Sequence, residues 1–165
     1  MLTVEKIGGT SMSQFKDVLN NIIKGDRSAS EMYNRIFVVS AYNNVTNWLL
    51  EHKKTGEPGI YVKFLNDDNY DSALDELCQK LIALNRGFEE IKLDQKVADE
   101  FIINRIEKAK NYLKSMHSVV ASGYVDRKDL YLAAREILSS IGEAHSAFNS
   151  VNIIQNNGIN ATFVD

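Results

Sequence analysis

Lys6-Ile7-Gly8-Gly9-Thr10-Ser11 sets a cation close before two adjacent glycines and two hydroxyls. The chemistry this pattern suits is the holding of an anion. Glycine lets backbone N–H groups come close to a phosphate, and a helix that starts there adds positive potential. A lysine about 4 Å from a phosphate oxygen contributes roughly 4 kcal/mol at an effective dielectric near 20. The order is neither that of a Walker A loop nor that of a dinucleotide fingerprint, because the lysine precedes the glycines. The same residues also describe a tight strand-to-helix turn with a surface lysine.

A second stretch, Val38-Val39-Ser40-Ala41-Tyr42-Asn43-Asn44-Val45-Thr46-Asn47, ends an apolar run in a hydroxyl, then gives a turn and another hydroxyl. Ligands of α/β proteins lie beyond the C-terminal ends of the strands, where such a stretch would sit. Thr46 or Asn44 also suits a plain helix cap. The third stretch is Ser139-Ser140-Ile141-Gly142-Glu143. A carboxylate just after a glycine, in the first turn of a helix, is stabilised by the helix dipole with or without a ligand.

The elements that must position these residues follow from periodicity. "LTVEKI" is short, alternating and rich in β-formers, and predicts a strand ending at Gly8-Gly9. Ser11 or Ser13 is expected to cap the next helix, on which Phe15, Val18, Leu19, Ile22 and Ile23 recur at helical spacing up to Gly25. "RIFVVSA", residues 35 to 41, predicts a strand buried on both faces of a parallel sheet. Thr46 is expected to open a helix running through "NWLLEHKK" to a stop at "TGEPG". Strand, glycine turn, helix and strand make a right-handed βαβ unit.

From about residue 68 to 120 the pattern is mainly helical. Val97, Phe101, Ile102, Ile106, Ala109 and Leu113 trace one helix face, with charges on the other side. The closing stretch reads as a helix, a break near Gly142, a second helix, a turn at "NNG" and a buried strand "NATFVD". A chain that stops on such a strand ends in an unusual place for a domain.

Composition narrows the function classes. The 165 residues, 44% hydrophobic and 25% charged, suit one soluble domain or part of a larger one. A net charge of −3 gives no basic footprint for nucleic acid and no polybasic membrane patch. No apolar run reaches the eighteen or so residues of a membrane span, and no secretory signal is visible. The single cysteine, Cys78, excludes an internal disulfide framework, fits a reducing cytoplasm, and lies in an amphipathic pattern as a buried structural thiol. His52 and His145 have no second ligand at metal spacing, and His117 suits a helix's last turn, so no metal site is assigned.

Taken together, "KIGGTS", "VVSAYNNVTN", "LSSIGEAHSA" and "GINATFVD", in this order, resemble the N-terminal part of the aspartate kinases of the amino-acid kinase family. "LLEHKKTGEPGIY" is further similar to the aspartate kinases associated with ectoine biosynthesis. The resemblance implies an α/β fold: part of a three-layer αβα sandwich with a mainly parallel sheet and a helical middle segment. It implies transfer of the γ-phosphate of ATP, with Mg2+, to the β-carboxylate of L-aspartate, in amino-acid biosynthesis toward lysine, threonine and methionine. Lys6 takes the family's catalytic, phosphate-holding place, with Gly8 and Gly9 as close-approach backbone and Ser40 lining the phosphate and substrate cleft. Thr46 and Glu143 fall on the aspartate-binding positions.

Two departures accompany the resemblance. Asn43 and Asn44 stand where glycines are usual, at a cost of about 1 kcal/mol for a left-handed turn. The Gly-rich segment with an arginine and an aspartate, the nucleotide-binding half and the ACT domains have no counterpart before Asp165. The expectation is an N-terminal portion of a cytoplasmic kinase that is inactive alone and associates with copies of itself. A non-catalytic half-kinase interaction module, or another amino-acid kinase such as one acting on glutamate, stands as the alternative.

Overall fold

The computed structural model describes residues 2–28 and 30–165. Strand β1 (Thr3–Ile7) and strand β2 (Arg35–Val39) pair in parallel, with Thr3 opposite Arg35 and Ile7 opposite Val39. One further ladder bond runs from the Ser40 amide to the Ile7 carbonyl (3.0 Å). Between the strands lie α1 (Gly9–Ser13), α2 (Phe15–Asp17) and a π-helical turn, Val18–Lys24. Met12, Phe15, Val18, Leu19 and Ile23 turn inward along this stretch. The wide turn closes on Gly25, whose amide bonds to the Asn20 carbonyl at 2.8 Å and whose φ is +50°.

Arg35 locks the crossover to the sheet. Its guanidinium makes two bonds to the Glu5 carboxylate (2.7 and 2.6 Å) and others to the Ile22 and Ile23 carbonyls (2.8 and 3.0 Å). The bond from Arg35 is the chief reason the Glu5 carboxyl is held below its usual pKa.

Several expectations need correction. Neither Ser11 nor Ser13 caps the first helix; both lie inside α1, and Gly8 occupies the cap with no side-chain bond. β2 is not buried on both faces: Ile36 and Val38 are 48% and 50% exposed, on the same face as Val4 at 67%. Helix α3 (Val45–Leu49) stops before Glu51, which bridges back to Pro58. There the Gly59 amide reaches the Leu50 carbonyl (3.1 Å), and a Cβ at Gly59 would stand 2.6 Å from that oxygen. The chain therefore turns on a glycine instead of carrying the helix through "EHKK".

Helix α4 (Ile60–Leu65) leads to α5 (Tyr70–Arg86), a 3-10 turn (Glu89–Ile91) and α6 (Gln95–Ser122), capped by the Asp94 side chain. Ala98, Ile102, Ile106, Ala109 and Leu113 are the buried stripe of α6, while Val97 is exposed. Helix α7 then runs unbroken from Arg127 to Asn156, about 45 Å at 1.5 Å per residue. Hence there is no break at Gly142, and Glu143 stands in mid-helix, far from any first turn.

The expected strand "NATFVD" is also absent: after the turn at Gly158 (φ +81°), residues 159 to 165 make no ladder. Side chains hold this tail instead. Phe163 stands edge-on to Phe101 and Phe148 (5.7 Å each), Arg105 pairs with Asp165, and Gln155 bonds to the Ala161 carbonyl (2.8 Å). Its β-forming residues have neighbours to pack on but no strand edge in register.

Candidate functional site

The residues singled out by sequence lie at three junctions, which the backbone brings to one place. Ala41 is the hub. A Cβ added to Gly9 would stand 2.7 Å from the Ala41 carbonyl oxygen, so the start of α1 touches bare backbone there. A Cβ added to Gly142 would stand 2.7 Å from Ala41 Cβ and 3.0 Å from Val45 Cγ1. Both distances are shorter than side chains tolerate, so each position admits only a hydrogen.

Hydroxyls complete the junction. Ser13 Oγ accepts from the Asn43 amide (2.9 Å) and donates to the Gly9 carbonyl (3.2 Å), clipping α1 to the turn. Ser146, fully buried on α7, holds its Oγ 2.8 Å from the Ser40 carbonyl. The turn takes the left-handed conformation at Asn44 (φ +66°), directly before α3; Asn43 does not. One of the two asparagines thus occupies the position at which a glycine would relieve strain.

Gly8, Gly9, Ser40, Thr46 and Glu143 all belong to these meeting segments. Glu143 is exposed, and Ser40 and Thr46 are half-buried. Lys6 is placed differently. Register sets it opposite Val38, on the exposed sheet face with Val4 and Ile36, whereas α7 packs on the side of Phe37 and Val39. Lys6 has no hydrogen bond or ion pair among the described residues. Neither the concavity of about 230 Å³ lined by Trp48, His52, Lys63 and Lys80, nor that of about 260 Å³ between β2, α7 and the C-terminal tail, includes Lys6, Ser40, Thr46 or Glu143.

Sequence reasoning missed a buried polar network behind the junction. Asn85 Nδ2 donates to Asp99 Oδ1 (2.8 Å), which turns Asn85 Oδ1 inward, where it accepts from Asn149 Nδ2 (2.8 Å) and faces His145 Nε2 (2.8 Å). Because an amide oxygen only accepts, this contact places a proton on His145 Nε2, and burial favours the neutral ring. His145 Nδ1, Asn149 Oδ1 and the Tyr42 hydroxyl are buried with no hydrogen-bond partner among the described residues. Burial pushes the His145 pKa down to about 4, against a smaller opposing pull from Asp99, and raises that of Tyr42. Tyr42 lies edge-on to His145 (5.5 Å) and stacks on Phe88 (5.1 Å), so the turn is welded to the α5–α6 hairpin. The only sequence signal was a polar residue on an apolar helix stripe at 85, 145 and 149.

Cys78 is buried, and burial pushes its thiol up, as an inert structural cysteine requires. Among the described residues no three His, Cys, Asp or Glu side chains gather as a metal site, and no helix is long and apolar enough to cross a membrane.

No protein-family model and no solved structure matches the chain. An aspartate kinase of Stutzerimonas stutzeri (strain A1501), named Ask_Ect, is 45% identical to it over 168 aligned residues, which cover all of this chain and 35% of that protein. The chain thus spans about a third of the length of that relative, and the match favours neither a non-catalytic module nor another amino-acid kinase. The likeness first read from "KIGGTS", "VVSAYNNVTN" and "LSSIGEAHSA" extends from end to end of the chain, at 45% identity to that aspartate kinase.

Proposed function

We propose that this chain supplies the aspartate-contacting and part of the phosphate-contacting surface of an enzyme that phosphorylates the β-carboxylate of L-aspartate with ATP. The observation that carries the proposal is the meeting of Gly9, Ser40–Val45 and Gly142–Ser146 at the C-terminal ends of two parallel strands. In this reading Glu143 faces the substrate ammonium, Thr46 donates to a substrate carboxylate, and Ser40 with the Gly8-Gly9 backbone borders the transferred phosphoryl group. Lys6 reaches round the strand end to offset charge that develops on the phosphoryl oxygens, since such transfer depends on positioning and electrostatics. Mg2+ comes with the ATP phosphates, because no carboxylate cluster stands ready for it among the described residues.

The wider expectations belong to the same proposal. The two-stranded ladder and its helices form part of a three-layer αβα sandwich, residues 1–165 are the N-terminal portion of the kinase domain, and the remaining sheet and the adenine pocket come from further sequence. The enzyme is a cytoplasmic homo-oligomer serving lysine and related biosynthesis. Orientation contributes on the order of 7–11 kcal/mol to such a reaction, which one lysine and a glycine turn do not supply.

A coupled assay for ADP tests the reading. The product of the whole reading frame is expected to release ADP only with aspartate, and Lys6→Ala to lower that rate at least about a hundredfold. Residues 1–165 alone are expected to give no aspartate-dependent ADP. Turnover by that piece, dependent on aspartate and Lys6, would show it to be a complete kinase and overturn the division of labour.

A further inference from the structure

Ser146 is fully buried, and its hydroxyl lies 2.8 Å from the Ser40 carbonyl and 3.0 Å from the Glu143 carbonyl. Ser40 is the first residue beyond β2, and its amide is already bound to Ile7 of β1. The Ser40 backbone is therefore gripped on one side by the sheet and on the other by a single side chain of α7. The other contacts that α7 makes with this turn, Gly142 against Ala41 and Val45 and His145 edge-on to Tyr42, carry no hydrogen bond. Steric contact between small groups limits how closely a helix approaches but leaves it free to slide or rotate. A hydrogen bond of ordinary length depends steeply on angle, and so resists both motions.

We infer that Ser146 is a positioning residue of the aspartate site: it fixes the register of α7 against the end of β2, and thereby the stance of Glu143 relative to Ser40 and Thr46. This rests on the proposed assignment of Glu143 and Thr46 to aspartate. Glu143 lies three residues before Ser146, nearly one turn away on the same side of the helix. A slip of α7 by one residue would move Glu143 about 1.5 Å along the axis and turn it by about 100°. Loss of the hydroxyl would also remove the donor that α7 gives the Ser40 carbonyl among the described residues. Ser146 itself touches no substrate in this scheme.

The test compares Ser146→Thr with Ser146→Val in the product of the whole reading frame, because the two side chains share a shape and differ in the hydroxyl. Ser146→Val is expected to raise KM for aspartate about tenfold over Ser146→Thr, the size of one lost hydrogen bond. kcat and KM for ATP are expected to stay within roughly twofold, since the lost contact acts on substrate binding in ground and transition state alike. Equal aspartate KM values for the two variants, or a fall in kcat alone, would overturn the inference. If the added methyl prevents folding in both, Ser146→Ala against wild type makes the same measurement, and an unchanged KM overturns it equally. Glu143→Gln, run alongside, separates the two levels. If Glu143→Gln raises aspartate KM and Ser146→Val does not, the inference falls alone; if Glu143→Gln has no effect, the site assignment falls and takes the inference with it.

Discussion

The two faces of the β1–β2 ladder have opposite fates. On one, Ile7 is buried and Phe37 and Val39 pack against the core near α7. On the other, Val4, Ile36 and Val38 stand open, and Lys6 stands among them. The packed side is bought with small residues at the strand exits, Gly9, Ala41 and Gly142, which let backbones touch; the open side carries β-branched residues that a sheet normally covers. The contrast separates a face packed within the chain from one that stands open. The junction of the three motif segments lies at the end of the packed face, and the lysine stands on the open one.

The most damaging break in the packed side would be at Gly142. Its missing Cβ would stand 2.7 Å from Ala41 Cβ, with Val45 Cγ1 at 3.0 Å and Leu49 Cδ1 at 3.5 Å, so a larger residue must push α7 off the turn. Gly142→Leu is expected to destabilise the fold by about 3 kcal/mol or more, the upper range for overpacking. Urea unfolding followed by circular dichroism measures it. A loss under about 1 kcal/mol would mean that the helix and turn part easily, and that the packed side is looser than the distances say.

Next in size is the acid sensitivity of the network behind the same junction. The His145 pKa is about 4 in the fold and 6.5 in the unfolded chain. Above pH 6.5 the ring is neutral in both states and contributes no slope. Below it the unfolded chain takes up a proton that the fold refuses, so stability falls with pH and levels off below about 4. The gap corresponds to about 3 kcal/mol across that window. The Glu5 carboxyl, held low by Arg35, adds its own loss only as pH falls through the carboxylate range below its ordinary 4.5. Stability measured between pH 7 and 5 should therefore slope in the native chain and lie nearly flat in His145→Gln, whatever that variant's absolute stability. Equal slopes would remove His145 as the source.

Gly142 and His145 also show what the sequence could and could not reveal. Strand, glycine turn, helix and parallel strand were legible at the N-terminus because each signal there is local. The stripe Ile102, Ile106, Ala109 and Leu113 was legible for the same reason. Gly142 read as a break because a helix-interior glycine costs about 1 kcal/mol relative to alanine. What overrides that cost is contact with Ala41 and Val45, a hundred residues earlier in a chain whose periodicity says nothing of it. The tail at 159 to 165 failed in the opposite sense: β-forming composition was present, but a strand also needs an edge in register. The network of Asn85, His145 and Asn149 escaped notice because a lone polar residue in a helical pattern reads as solvated until its partner is known.

A smaller effect compares the two asparagines of the turn. Asn44 has φ +66° and Asn43 does not. Glycine at 44 removes strain that roughly balances the added freedom of the unfolded chain, whereas at 43 only the added freedom remains. Asn43→Gly is expected to be less stable than Asn44→Gly by about 1 kcal/mol in thermal or urea unfolding. The reverse order would place the left-handed residue elsewhere in the turn.

The smallest effect on stability is expected on the open face, and its smallness is the point. Ile36 and Val38 are about half exposed, so replacing both with lysine removes little buried apolar area from the folded chain. The urea midpoint of Ile36→Lys/Val38→Lys should stay within about 0.5 kcal/mol of the parent, as for surface changes elsewhere. Association should respond very differently. A strip of Val4, Ile36 and Val38 on a two-stranded sheet offers apolar surface and an unpaired edge to another copy, and the simplest closed solution is a two-fold dimer. Residues 1–165 are therefore expected to sediment with a dimer component that grows with concentration, and the double variant to sediment as a monomer. A parent that stays monomeric at high concentration would show that this face does not drive self-association. A double variant that unfolds would show more: that the two faces are not separate, and that the open one already carries part of the fold.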